Sequence, residues 1–285
     1  MTRRRFPVGK TLLYVFMSLW ALTTIYPFIW VILNSFKPRG LIRSDTFSLP
    51  IGDKFTLENY VTAFKRVDIG TAYVNSIVIS GAATVVVMVL AGLAAYAMVR
   101  YSFRLRGFLH SMIIASMMFP VFSTIIPVFR MESSWGIVNT GSIWLTRLSV
   151  VLPQIAGNLS FAIIVLMGFI RSLPVDLEEA AYLEGYNVYQ IFFRIIMPLA
   201  KPSFATVGIF TFLWSYNDLF LQMFFLRSKK FFTITRLLNE ISSQAGTNYG
   251  LMVAAVVMVV IPVLVVYIFL QNYIIKGMTA GAVKG

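Results

Sequence analysis

Two groups of residues in this chain have side chains and spacing that could do chemistry. The stretch DLEEAAYLEGYNVYQIFFRIIMPL, residues 176–199, gathers Asp176, Glu178, Glu179 and Glu184 between long apolar runs. Further on, Trp214, Tyr216, Asn217 and Asp218 lie within one apolar run. Clustered carboxylates can cap helices or enter a basic groove on another protein. Aromatic rings beside an amide and a carboxylate suit a sugar, whose rings offer apolar faces and hydroxyl edges. Neither group looks catalytic. The chain has no Cys, its one His (His110) lacks a second ligand at metal-binding spacing, and its apolar runs hold no paired carboxylates.

What positions these residues follows from composition. Of 285 residues, 58% are hydrophobic and 12% charged, with mean hydropathy +0.80. Soluble domains average roughly a quarter charged residues, so this composition implies an integral membrane protein. The net charge of +13 fits lipid headgroups and topology signals, because the basic residues fall between apolar runs; nucleic acid is not an expected partner. Arg3-Arg4-Arg5-Phe6 resembles a twin-arginine signal, but the apolar run after it is too long and lacks a small-residue cleavage site. Gly9-Lys10-Thr11 resembles the end of a phosphate-binding loop, yet Arg4 stands where the first glycine belongs.

A span needs about 20 mostly apolar residues to cross about 30 Å of hydrocarbon. Six windows qualify, at about 11–33, 73–98, 108–128, 149–170, 203–226 and 250–274. The expected fold class is an all-α integral membrane protein, a single domain over 1–285, since the runs lack the alternation of a barrel. Pro120, Pro127, Pro153 and Pro262 predict kinks. Ala91 and Ala95, one turn apart, supply small residues for close helix contact. An even number of spans puts both termini on one side. The 24 Lys and Arg divide evenly between the two sides, but the density of RRRFPVGK and RYSFRLRG tilts the termini toward the cytoplasm. Asp218 is the intramembrane carboxylate and so a substrate-pathway candidate. Trp214, Tyr216 and Asn217 accompany it. Asn75, Ser76, Ser80 and Asn158 are weaker candidates that equally suit interhelical hydrogen bonds.

In the acidic stretch, Asp176 and Glu179 have the spacing of a capping box, with Leu177, Ala180, Ala181 and Glu184 on one face. Gly185 fits the left-handed position that closes a helix. Asn187 and Gln190 repeat the box, and a second amphipathic helix runs to Pro198. Such a rigid, small-faced acidic helix is suited to a groove on a partner protein.

The pattern Glu179-Ala180-Ala181, three residues, Gly185, nine residues, Ile195-x-x-Pro198 resembles the signature loop of the permease subunits of binding-protein-dependent ABC importers. YPFIWVILNSFK, TLENY, GLAAYAMVRY, FLWSYND and GMTAGAVKG extend the likeness to the carbohydrate-uptake branch, and within it to the smaller maltose-permease subunit. Met197 stands where Leu is usual, Tyr216 where Trp is common and Glu184 where Asp is common. The resemblance implies a non-enzymatic permease in the bacterial inner membrane, carrying a sugar, an oligosaccharide in the first instance. It implies a cytoplasmic coupling helix over 176–185 in a loop at 171–200, with Glu179 and Gly185 as key positions. Implied partners are a second, homologous permease, two ATPase subunits that bind ATP and Mg, and an external solute-binding protein; no cofactor is expected on this chain itself. An ion-coupled secondary transporter is the alternative, which would call for midplane coupling carboxylates and repeated halves.

Overall fold

The structure, a computed structural model, describes residues 8–66, 68–245 and 248–282. Arg3 to Phe6 of the N-terminal motif lie outside the described residues. The first half contains α1 (Val8–Ser35), α2 (Arg39–Ser44), α3 (Glu58–Arg66), α4 (Ile69–Arg100), α5 (Arg106–Ser116), α6 (Val121–Ser134) and α7 (Ile143–Ile170). The second half contains α8 (Asp176–Leu183), α9 (Val188–Ile191), α10 (Met197–Leu199), α11 (Lys201–Asn217), α12 (Leu219–Phe225), α13 (Ile234–Ala245) and α14 (Tyr249–Ala282). Among the described residues there is no strand.

Among the described residues, four helical segments are long and apolar enough to cross a membrane: Gly9–Ser35, Ile69–Arg100, Ile143–Ile170 and Tyr249–Phe269. They cover the expected first, second, fourth and sixth spans. The third is not one kinked helix: α5 and α6 meet at 106°. Pro120 sits before α6 with ψ of 124°, an extended conformation that ends the helical hydrogen bonding there. Pro127, Pro153 and Pro262 do lie inside helices. The fifth expected span, 203–226, is also interrupted. Its helix ends at Asn217, Asp218 takes a non-helical ψ of 91°, and α12 starts anew at Leu219. On its other side, Val188–Leu199 and Lys201–Asn217 are bent by 81°, with Pro202 in the first turn of α11.

The chain divides into two compact units. The first comprises Met1–Asp68 and Leu238–Pro262. There, Lys37 is buried and its Nζ donates to the carbonyls of Asp45 and Thr46 at 3.0 and 2.8 Å. Burial lowers the pKa of Lys37, and a hydrogen bond from Lys54 holds the Asp45 carboxyl below its ordinary range. Asn59 donates to the carbonyls of Ser35 and Lys37, closing the loop after α1. Gly250 lies against Asn59, where an added Cβ would come 2.2 Å from Oδ1; only a glycine leaves room.

The second unit comprises Ile69–Leu237 and Val263–Gly285. Its core is the packing of α4, α7 and α11. Val87, Ala91 and Ala95 of α4 meet Ala162 and Leu166 of α7, with Phe192, Phe204 and Val207 completing the cluster. The small-residue stripe of α4 acts as expected. A Cβ at Gly92 would sit 2.8 Å from the Phe204 ring, so that helix and ring meet at van der Waals distance only because the side chain is hydrogen.

Candidate functional site

The short acidic helix α8 is built onto the end of α4. Glu178, 4% exposed, accepts from Arg100 Nε at 2.5 Å and from the Tyr96 hydroxyl at 2.8 Å. Arg100 Nη2 also donates to the Leu173 carbonyl at 3.0 Å, which ties down the residues leading into α8. Both charges are largely withdrawn from water, and each has hydrogen-bonding partners, as a buried pair requires. One turn on, Ala181 is buried in the core that also contains Phe192 and Ile191. The inward face therefore carries residues 178 and 181. Ala181 does not join Leu177, Ala180 and Glu184, which are exposed with Glu179 and Leu183. Burial of Glu178 against Arg100 sets this rotation.

The expected capping box at Asp176 and Glu179 is absent. Val175 precedes α8 in helical conformation without a side-chain cap, and its carbonyl accepts from the amides of Glu178 and Glu179. Asp176 is exposed and instead places charge at the positive end of the helix. The C-terminus forms as expected. Gly185 has φ of +84°, its amide donates to Tyr182 O, and the amide of Tyr186 donates to Ala181 O, a Schellman closure. The second box is complete. Gln190 N donates to Asn187 Oδ1 at 2.9 Å, and Asn187 N to Gln190 Oε1 at 2.8 Å. A π-helical turn, Phe192–Ile196, follows and buries Phe192 against Tyr96 with ring centroids 5.6 Å apart. Pro198 is exposed within α10, just before the 81° bend. Tyr182 and Tyr101 hydroxyls lie 3.0 Å apart, and this hydrogen bond raises the pKa of Tyr182.

The pathway candidates are only partly brought together. Asp218 caps α12 by accepting from the Leu221 amide at 3.1 Å, and Gln154 Nε2 lies 3.4 Å from its other oxygen. Ser215 donates to Gln154 Oε1, and Gln222 donates to the Ser215 carbonyl at 3.1 Å. Asn75 is a clamp: it donates to the carbonyls of Lys230 and Phe232 and accepts from Arg147 at 2.9 Å. Ser76 accepts from the Ile234 amide, and Asn158 donates to Gln154 O. Tyr216 is buried, whereas Asn217 is exposed and bonded to its own helix. Trp214 alone of the eight pathway candidates lines a cavity of about 620 Å³, with Phe161 stacked edge-on at 4.8 Å. Because Asp218 acts as a cap, Asp218→Asn should keep its acceptor and change stability little, while Asp218→Ala should lose about 1 kcal/mol. Thermal unfolding of the two variants in detergent checks this.

Two buried carboxylates escaped sequence reasoning. Glu178 looked like one more surface carboxylate; its partners, Tyr96 and Arg100, are distant in sequence. Glu132 lies beyond the expected third span, yet it is 1% exposed and lines the cavity. The signal in the sequence was slight: a lone carboxylate one turn before Trp135, with Phe129 and Met131 beside it.

The fold has a counterpart among solved structures. A bacterial ABC transporter involved in import of the acidic polysaccharide alginate matches it with a TM-score of 0.80 over 96% of this chain and 99% of the other, at 24% identity. Residues 88–280 match the family described as binding-protein-dependent transport system inner membrane component, and the chain belongs to that family. It is therefore a transport component rather than an enzyme. The diacetylchitobiose uptake system permease protein NgcG of Streptomyces coelicolor is 34% identical over 273 residues, 95% of this chain and 88% of that one. The trehalose transport system permease protein SugB of Mycobacterium tuberculosis is 32% identical, covering 92% and 93%. AraQ of Halalkalibacterium halodurans, an arabinooligosaccharides transport system permease, is 30% identical over the full length of both.

Proposed function

We propose that this chain forms half of the translocation pathway of an ATP-driven importer for a sugar, with an oligosaccharide as cargo. The observation that carries the mechanism is α8, an exposed acidic helix locked to α4 through Glu178, Arg100 and Tyr96. A helix so fixed can pass the motion of a docked ATPase directly into the membrane bundle. The relatives named above are sugar-uptake permeases, which supports the cargo class and removes the reason for an ion-coupled alternative. In this reading the single permease domain crosses the bacterial inner membrane six times, each bent pair counting as one span. The loop at 171–200 and both termini face the cytoplasm. Asp176, Glu179, Ala180, Ala181, Glu184, Gly185 and Pro198 belong to the coupling loop. ATP and Mg are bound by two ATPase subunits, a second, homologous permease supplies the other half, and an external solute-binding protein delivers the sugar.

The test is purification of the chain with its partners from native membranes, followed by uptake in vesicles. The panel would comprise diacetylchitobiose, trehalose, raffinose and arabinotriose. ATP-dependent uptake of a panel sugar that persists when the proton gradient is collapsed supports the reading; gradient-driven uptake without ATP overturns it. Glu179→Lys, at an exposed position on α8, should cut ATPase co-purification at least about tenfold, the effect of losing roughly 1.4 kcal/mol at the contact. Undiminished association would remove Glu179 from the docking surface.

A further inference from the structure

We propose that the cavity bounded by α5, α6, α7, α11 and α12 binds one ring of a neutral saccharide in transit, with the Glu132 carboxyl as its hydrogen-bond acceptor. The inference rests on the importer reading and assigns the sugar to a place within this subunit.

Three observations meet here. The cavity, about 620 Å³, is of the size that holds small molecules, roughly 300–1,000 Å³. Trp135, Trp214 and Phe161 on its wall offer aromatic surface, while Ser116, Ser160 and Glu132 offer polar groups. Glu132 is 1% exposed, and its Oε2 has no hydrogen-bond partner. A buried carboxyl oxygen left unpaired is costly, and ionisable groups inside a membrane bundle mark ligand or ion pathways. It calls for a donor that comes and goes.

A sugar supplies what is missing. Its hydroxyls donate to the carboxyl oxygen, and the C–H faces of its ring pack on the indoles. A lipid chain filling the same space would bring no donor and leave Oε2 unpaired. A uronate would bring a second carboxylate to the acid, so the site favours neutral rings. The depth is also right. Leu152, Gly157 and Phe161 of the lining lie in the middle third of the 28-residue helix α7, near mid-membrane if α7 spans.

The chain has no cysteine, so an introduced one is this subunit's only thiol. Gly157→Cys suits the purpose, because a Cβ at that lining position meets nothing within 4 Å. Maleimide labelling of residue 157 would be followed by mass spectrometry in the assembled transporter, with and without ATP. The probe is whichever panel sugar is taken up. The carried sugar should slow labelling at least about fivefold at 157 and leave a control thiol, Ser172→Cys, unchanged. Adding Glu132→Gln, which keeps the shape but replaces the carboxylate with a weaker, neutral amide acceptor, should raise the half-protecting concentration about fivefold. A neutral sugar that is carried without protecting residue 157 overturns the site and leaves the importer reading standing. So does a thiol that reacts in the isolated chain but is blocked in the assembled one, which means a partner subunit fills the cavity. ATP-driven uptake confined to acidic saccharides overturns the neutral-ring site and leaves the importer reading standing, whereas gradient-driven uptake without ATP refutes the importer reading, and the site with it.

Discussion

Arg100→Ala is expected to abolish coupled transport and to destabilise the chain by about 3–5 kcal/mol, the range for stranding one partner of a buried ion pair. The reason is geometric. Glu178 would keep the Tyr96 hydroxyl but lose a charged donor at 2.5 Å, in a site where it is only 4% exposed. The Leu173 carbonyl would lose its donor as well. Thermal unfolding in detergent reads the stability, and uptake with ATP hydrolysis reads the coupling. A double variant, Arg100→Met with Glu178→Leu, separates the two effects. Apolar side chains of similar size often replace a buried pair at little cost, so the double variant should unfold near the wild type. If Arg100→Ala costs less than 1 kcal/mol, α8 is not held by this pair.

Gly185→Pro is the second substitution with a large expected effect. Residue 185 has φ of +84°, whereas a proline ring holds φ near −65°. Proline also lacks the amide that donates to Tyr182 O, so both halves of the Schellman closure fail together. The chain should leave α8 in a different direction, misplacing Glu184 and the Asn187 cap. Loss of ATPase co-purification is expected, with the spans still folded because the change lies outside the α4, α7 and α11 core. Gly185→Ala is the graded control, with strain of roughly 1–2 kcal/mol and partial association. Normal association of the proline variant would show that the turn geometry does not matter for docking.

How much of this was legible in the sequence depends on how local each cause is. The Asn187 and Gln190 box, the left-handed Gly185 and the small-residue stripe at Ala91 and Ala95 depend on neighbours within a turn or two, and each formed as expected. Four spans were legible because apolar length alone decides them. The missing box at Asp176 shows the limit even at short range. Glu178 is drawn inward by Arg100, and the helix takes its first carbonyl from Val175 instead. Pro120 announced a disturbance but not its size, since whether a proline kinks or breaks a helix depends on what packs across it. Asn75 and Asn158 illustrate the same ambiguity on the polar side. An amide in a span can hold a ligand or another helix, and here the bonds go to protein.

The position of Asn75 and Arg100 on one helix has a mechanical consequence. They are 25 residues apart on α4, about 38 Å at 1.5 Å per residue. At one end Arg100 grips the short acidic helix; near the other, Asn75 grips the carbonyls of Lys230 and Phe232. A rod pinned at both ends cannot tilt at one without swinging the other. If α8 couples to an ATPase, displacing it is expected to move the 230–232 turn as well, because both are hydrogen-bonded to α4.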